Sequence, residues 1–148
     1  TLIASHVGLN PTVAKLMNAG ALELILVPQG TLAEQIRAKG AGLGGVLTPT
    51  GLGTLVQEGK QVIEVDGKKY ILEKPMKADL AIVEATYADT FGNGVNIGTT
   101  RNFNPLMALA ADVVVMGTYE VLEPGKVDPS SVTIHGVLVD YLVEIVEA

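Results

Sequence analysis

The sequence predicts an α/β fold: a mostly parallel open sheet with flanking helices and a small β-hairpin excursion. Three observations point there. Short apolar runs alternate with segments of helical period. The runs at Leu22–Val27 and Asp79–Thr86 are rich in aliphatic residues, as expected of strands covered on both faces of a parallel sheet. Most links between elements are short.

Taken in order, Leu2–His6 reads as a buried strand, so the chain is expected to begin mid-fold, without a signal peptide or basic leader. Asn10–Pro11 follows, with Asn as helix cap and Pro in the first turn, and Val13, Leu16 and Met17 fall on one helical face. Asn18–Ala19–Gly20 stops that helix. After the strand Leu22–Val27, Thr31 and Glu34 have the Thr-x-x-Glu spacing of a capping box, which predicts a helix from about Thr31 to about Lys39, ended by Gly40. Residues 40–59 hold seven glycines and one proline. Loops of that length are usually functional or disordered, and Leu43, Val46, Leu47, Leu52, Leu55 and Val56 argue for order.

Gln61–Val65, Asp66–Gly67 and Lys69–Glu73 make a hairpin, because Asp-Gly accepts the positive φ angles of a type I′ turn. Asp79–Thr86 resumes a buried strand, Phe91–Gly94 turns, and Asn104–Pro105 repeats the Asn cap and first-turn Pro ahead of the helix Leu106–Ala111. A strand at Val113–Met116, a polar connector with one helical turn over Glu120–Ser131 and a final strand at Gly136–Ile145 complete residues 1–148 as a single domain.

Composition excludes several classes of function. Hydrophobic residues make up 48% of the 148 positions, yet no apolar run approaches the roughly 20 residues of a spanning helix, so no membrane role is expected. Sixteen acidic against ten basic residues give a charge of -6, and the cations are scattered, which argues against nucleic acid as a partner. The absence of cysteine rules out disulfides and thiolate metal sites and fits a reducing, cytoplasmic location. His6 and His135 have no Cys or carboxylate neighbours in ligand spacing, so no metal is expected. Glu58, Glu64, Glu73 and Glu84 show no acid–base pairing, and there is no Gly-x-Ser-x-Gly elbow.

Three features remain as candidate chemistry. Gln29 ends a strand just before a helix, where open α/β sheets bind ligands. Its amide suits a developing oxyanion, helped by the N–H groups of the helix terminus, and suits equally the loose backbone groups of a turn. The Gly42–Gly53 loop allows close backbone approach to a ligand, or is simply a tight surface loop; without Gly-Lys-Ser/Thr it is no Walker loop. Arg101–Asn102–Phe103–Asn104 precedes a helix and could present a cation and amides to an anion, although Asn104 reads better as a cap and Arg101 could pair with a nearby carboxylate.

The strings Val27–Pro28–Gln29–Gly30–Thr31–Leu32–Ala33–Glu34–Gln35–Ile36–Arg37, Gly40 through Val56, and Arg101–Asn102–Phe103–Asn104–Pro105 resemble the α subunit of family I CoA-transferases of the 3-oxoacid type, including the acetate or butyrate:acetoacetate enzymes. The likeness runs over essentially the whole chain. It implies a CoA-transferase, NagB-like fold and ping-pong transfer of CoA between an acyl-CoA and a short carboxylic or 3-oxo acid. A glutamate attacks the acyl-CoA, giving a mixed anhydride and then a glutamyl-CoA thioester.

In that family the glutamate comes from a β subunit within a Ser-Glu-Asn-Gly-type motif. No such motif occurs here, so the resemblance implies a hetero-oligomer with coenzyme A as substrate and no permanently bound cofactor. It assigns Gln29 to the oxyanion hole. Substrate contact falls to Gly30, Gly44, Gly45, Thr48, Arg101 and Asn102. The family's opening strand, Gly-Gly-Phe loop and Gly-x-Pro element are missing, which implies an N-terminally incomplete domain. A non-catalytic small-molecule-binding domain and a sugar-phosphate isomerase of related fold are the competing functions.

Overall fold

In a computed structural model, residues 1–146 are described. The chain runs β1 (Leu2–Ala4), α1 (Pro11–Asn18), β2 (Leu24–Leu26), α2 (Gln29–Gly40), β3 (Val46–Thr48), β4 (Val62–Val65), β5 (Lys68–Glu73), β6 (Ala78–Ala85), β7 (Tyr87–Asp89), β8 (Gly94–Val95), α3 (Asn104–Ala110), β9 (Ala111–Thr118), β10 (Val121–Leu122) and β11 (Tyr141–Glu144). It is an α/β architecture whose strand pairs are mostly parallel: β1 with β2, β6 and β11 on either side of β9, and β10 with β7. The antiparallel pairs are β7–β8 and the two in the β3–β5–β4 sheet.

The core lies on one face of β6 and β9. Ala81, Val83 and Ala85 alternate inward from β6, Val114 and Met116 from β9, and α3 covers them with Ala108. Ile134, from the chain after a short turn at Pro129–Ser131, closes the cluster. The opposite face of this sheet is apolar and open: Leu80 and Val113 are paired neighbours there, and Ile82 is 71% exposed.

Local chemistry explains where the elements start. Asn10 Oδ1 accepts from the N–H groups of Thr12 and Val13, the expected cap. The hairpin forms as expected, with Asp66 at φ 50 and Gly67 at φ 73, the left-handed pair of a type I′ turn.

Other expectations need correction. The helix expected from Thr31 begins at Gln29, because extended Pro28 (φ −53, ψ 136) already sets the boundary and its carbonyl accepts from Leu32 N–H. Thr31 is buried inside the first turn and Glu34 binds Arg37, so no capping box forms. Asn104 is the first helical residue and does not cap α3. Its Oδ1 accepts from Glu84 N–H at 3.0 Å and its Nδ2 donates to the Thr100 carbonyl at 2.6 Å, joining two segments that sequence spacing cannot relate.

The final strand is shorter than Gly136–Ile145. Gly136–Leu138 is a single helical turn, with the Gly136 N–H donating to Asn93 Oδ1, and pairing with β9 starts only where Asp140 exchanges hydrogen bonds with Val114. The strand expected over Leu22–Val27 is reduced to Leu24–Leu26 and pairs with β1 alone, leaving Leu26 56% exposed. The Leu16–Met17 face of α1 is likewise open.

Candidate active site

The strand-to-helix junction after β2 carries several backbone donors without an intrahelical acceptor. Gln29 is the first residue of α2, and no side chain caps that helix. The first intrahelical bond is the one from Leu32 to Pro28, so the N–H groups of Gln29, Gly30 and Thr31 have no intrahelical acceptor. They carry the positive end of the helix dipole. The Ser5 hydroxyl, just past β1, donates to Gln29 Oε1. With its oxygen engaged, the amide keeps its N–H groups as donors.

Beside this terminus is a cleft of about 280 Å³ lined by Pro28, Gly30, Thr31 and Glu34 on one side and Val46, Leu47, Thr48 and Thr50 on the other. The second wall is β3 and the turn after it, which is internally braced. Thr48 Oγ1 accepts from Thr50 N–H, Thr54 caps the turn at Leu55–Gln57, and Gly53 N–H donates to Gln57 Oε1. The glycine-rich segment is thus ordered. Glu34 is held ionised below the usual carboxylate range by its hydrogen bonds from Arg37, with the guanidinium charge adding to the effect.

Of the residues singled out from sequence, Gly30 and Thr48 line this cleft and Gln29 adjoins it. Gly44 and Gly45 precede β3 and lie outside the lining. Arg101 and Asn102 are exposed on the turn before α3, and Arg101 has no carboxylate partner among the described residues. They stand between Thr100 and Asn104, which line a second recess of about 520 Å³. That recess also takes in Glu84, Gly117 and Ile145, at the carboxyl ends of β6, β9 and β11. Among the described residues no group of His, Cys, Asp or Glu could hold a metal ion, and no helix is long and apolar enough to cross a membrane.

Sequence reasoning weighed Glu73 only for acid–base pairing and gave it no role. It lies on the inward side of β5 with Ile71 and is 2% exposed, bound to Gln35 and Lys60. The available signal was an acidic residue two positions from a core isoleucine, on the same face of a strand.

The α/β fold so built has known counterparts. Residues 1–145 match the coenzyme A transferase family, and the chain belongs to it. It is 49% identical over 142 residues to the acetate CoA-transferase subunit alpha of Escherichia coli K12, covering 96% of this chain and 64% of that one. It is 46% identical over 143 residues to the acetoacetyl-CoA:acetate/butyrate CoA transferase alpha subunit of Clostridium acetobutylicum, covering 97% and 66%. The chain therefore spans just under two thirds of the length of these relatives.

Among solved structures, the acyl-CoA transferase YdiF of Escherichia coli O157:H7 superposes as apoenzyme with a TM-score of 0.86 and as a thioester complex with CoA with 0.84. Each is 25% identical and covers 97% of this chain and 32% of its own.

Proposed function

We propose that this chain is part of the α subunit of a CoA-transferase that moves CoA between an acyl-CoA and a short-chain carboxylic or 3-oxo acid. The observation that carries this is the uncapped start of α2, where the Gln29 amide, held by Ser5, adjoins a cleft walled by Gly30 and Thr48. Such a site offers donors to a negative oxygen, and the carboxylate on its lining, Glu34, is engaged by Arg37.

A glutamate from a β subunit attacks the acyl thioester. The carbonyl oxygen becomes an oxyanion, and the Gln29 amide and the α2 N–H groups donate to it. CoA leaves as thiolate, giving an acyl-glutamyl anhydride. The thiolate then attacks the glutamyl carbonyl, the first acid leaves as carboxylate, and the acceptor acid reverses these steps. Gly30 and Thr48 contact the acyl group, Gly44 and Gly45 let the loop entrance approach it, and Arg101 and Asn102 meet the substrate from the larger recess. Family membership favours this over the sugar-phosphate isomerase alternative. The subunit names of the relatives support a hetero-oligomer with a β partner, and coenzyme A is substrate with no permanently bound cofactor.

The test is to co-express the full-length subunit with a candidate β subunit and follow acetoacetyl-CoA formation from acetyl-CoA or succinyl-CoA. Gln29→Ala slows transfer by on the order of 10²-fold, the effect of losing one oxyanion donor. A near-normal rate would return Gln29 to a turn role, and a stable complex that transfers CoA to no short acid would favour a non-catalytic binding domain.

A further inference from the structure

We infer that the buried carboxylate of Glu73 is a positioning group that holds the two walls of the Gln29 cleft in register. The inference rests on the oxyanion reading of Gln29. Glu73 is 2% exposed, and both its oxygens are engaged: Oε2 accepts from Gln35 Nε2 at 2.9 Å and Oε1 from Lys60 Nζ at 2.7 Å. Gln35 makes this bond while its own Oε1 stays buried with no partner. Turning the amide over would set two acceptors against each other, so the contact with Glu73 dominates the local geometry.

The location of the cluster gives it a task. Gln35 follows Glu34 on α2, the helix whose first turns form one wall. Glu73 pairs with Val46 across the β3–β5 ladder, where the second wall begins. A Cβ on Gly45 would stand 2.7 Å from the Glu73 carbonyl oxygen, so the loop entrance lies directly on the Glu73 backbone. Lys60 lies just beyond the loop's far end. One residue therefore ties the helix wall, the loop entrance and the loop exit together. Lys60 is 32% exposed, and even fully buried ion pairs can often be replaced by apolar side chains without loss of stability, so stability alone is a weak reason for this one. Fixing geometry is the stronger reason, since a displacement of about 1 Å near a reacting group can cost about 100-fold in rate.

The experiment uses the full-length subunit assembled with its β partner. Glu73→Gln keeps the shape and removes the charge. In the folded complex, kcat falls by roughly ten- to a hundredfold with KM little changed, and amide hydrogen exchange rises at Gly30–Glu34 and Leu47–Thr50. Lys60→Met does the same, while Lys60→Arg, which keeps the cation, restores most of the rate. A merely structural Glu73 would lower the melting temperature and leave kcat per folded site unchanged. Wild-type kcat, or wild-type exchange at the two walls, in folded Glu73→Gln overturns the inference. Should Lys60→Met fail to fold, Glu73→Gln and Lys60→Arg decide it. A wild-type complex without CoA transfer would instead defeat the proposed function, and the exchange measurement would still decide whether Glu73 holds the walls.

Discussion

Glu34 is the charged side chain on the cleft lining, and its neutralisation determines what the cleft attracts. Arg37 donates to it from Nε and Nη2, at 2.9 and 2.7 Å, so the negative charge is answered within the helix and the α2 dipole is left to favour an anion. The hydrogen bond from Arg37 lowers the Glu34 pKa from its ordinary value of 4.5. A carboxyl group lowered on folding contributes stability in full above its unfolded pKa and loses it as pH falls through the folded one. Arg37→Met therefore returns Glu34 to the ordinary range in a carboxyl NMR titration. The stability difference between wild type and variant is present at neutral pH and closes as the solution is acidified below the folded Glu34 pKa. Both groups are largely solvent-exposed, so the difference is small. A difference independent of pH would show that Arg37 acts through packing of its stem and not through Glu34.

At the scale of elements, α2 is positioned at both ends, by Pro28 and Ser5 at its start and by α3 at its finish. A Cβ on Gly40 would lie 2.5 Å from Leu109 Cβ and 3.2 Å from the Leu109 carbonyl oxygen, so the two helices meet where one lacks a side chain. Gly40→Ala gains about 1 kcal/mol of helix propensity at most. It forces apart a contact that involves backbone, at a typical cost of about 1–3 kcal/mol. The overpacking wins, and urea unfolding should show a net loss; a stabilised variant would mean that α3 yields easily.

This junction also separates what the sequence could tell from what it could not. The Asn10 cap and the Asp66–Gly67 turn were legible because each acts within a few residues of itself. Gln29 was legible as a residue at a strand-to-helix junction, and the family resemblance supplied the role proposed for it. The roles of Asn104 and Glu73 were hidden. Their partners, Glu84 for one and Gln35 and Lys60 for the other, come near only when separate elements pack, and such contacts override local propensity.

For the molecule as a whole, the parallel sheet of β6, β9 and β11 has one face filled by the core and one face bare. Register places Leu80 beside Val113, Val115 between Ile82 and Tyr141, and Val143 beside Gly117, so the bare face is a contiguous apolar surface and not a scatter of single residues. Ile82 and Tyr141 are 71% and 62% exposed. Parallel strands are characteristically covered on both sides, and contiguous apolar patches on monomers mark contact surfaces or aggregation hazards. The 148 residues by themselves should therefore associate at micromolar concentration and bind a hydrophobic dye. Ile82→Lys with Val143→Lys introduces charges on that face, leaves the inward row of Val83 and Met116 untouched, and should shift the chain toward monomer in sedimentation velocity. Substitution on the solvent side of α1, such as Lys15→Glu, should leave the association unchanged. A wild-type chain that sediments as a monomer and takes up no dye would mean that this face tolerates water, and the sheet would then be stable with a single covered side.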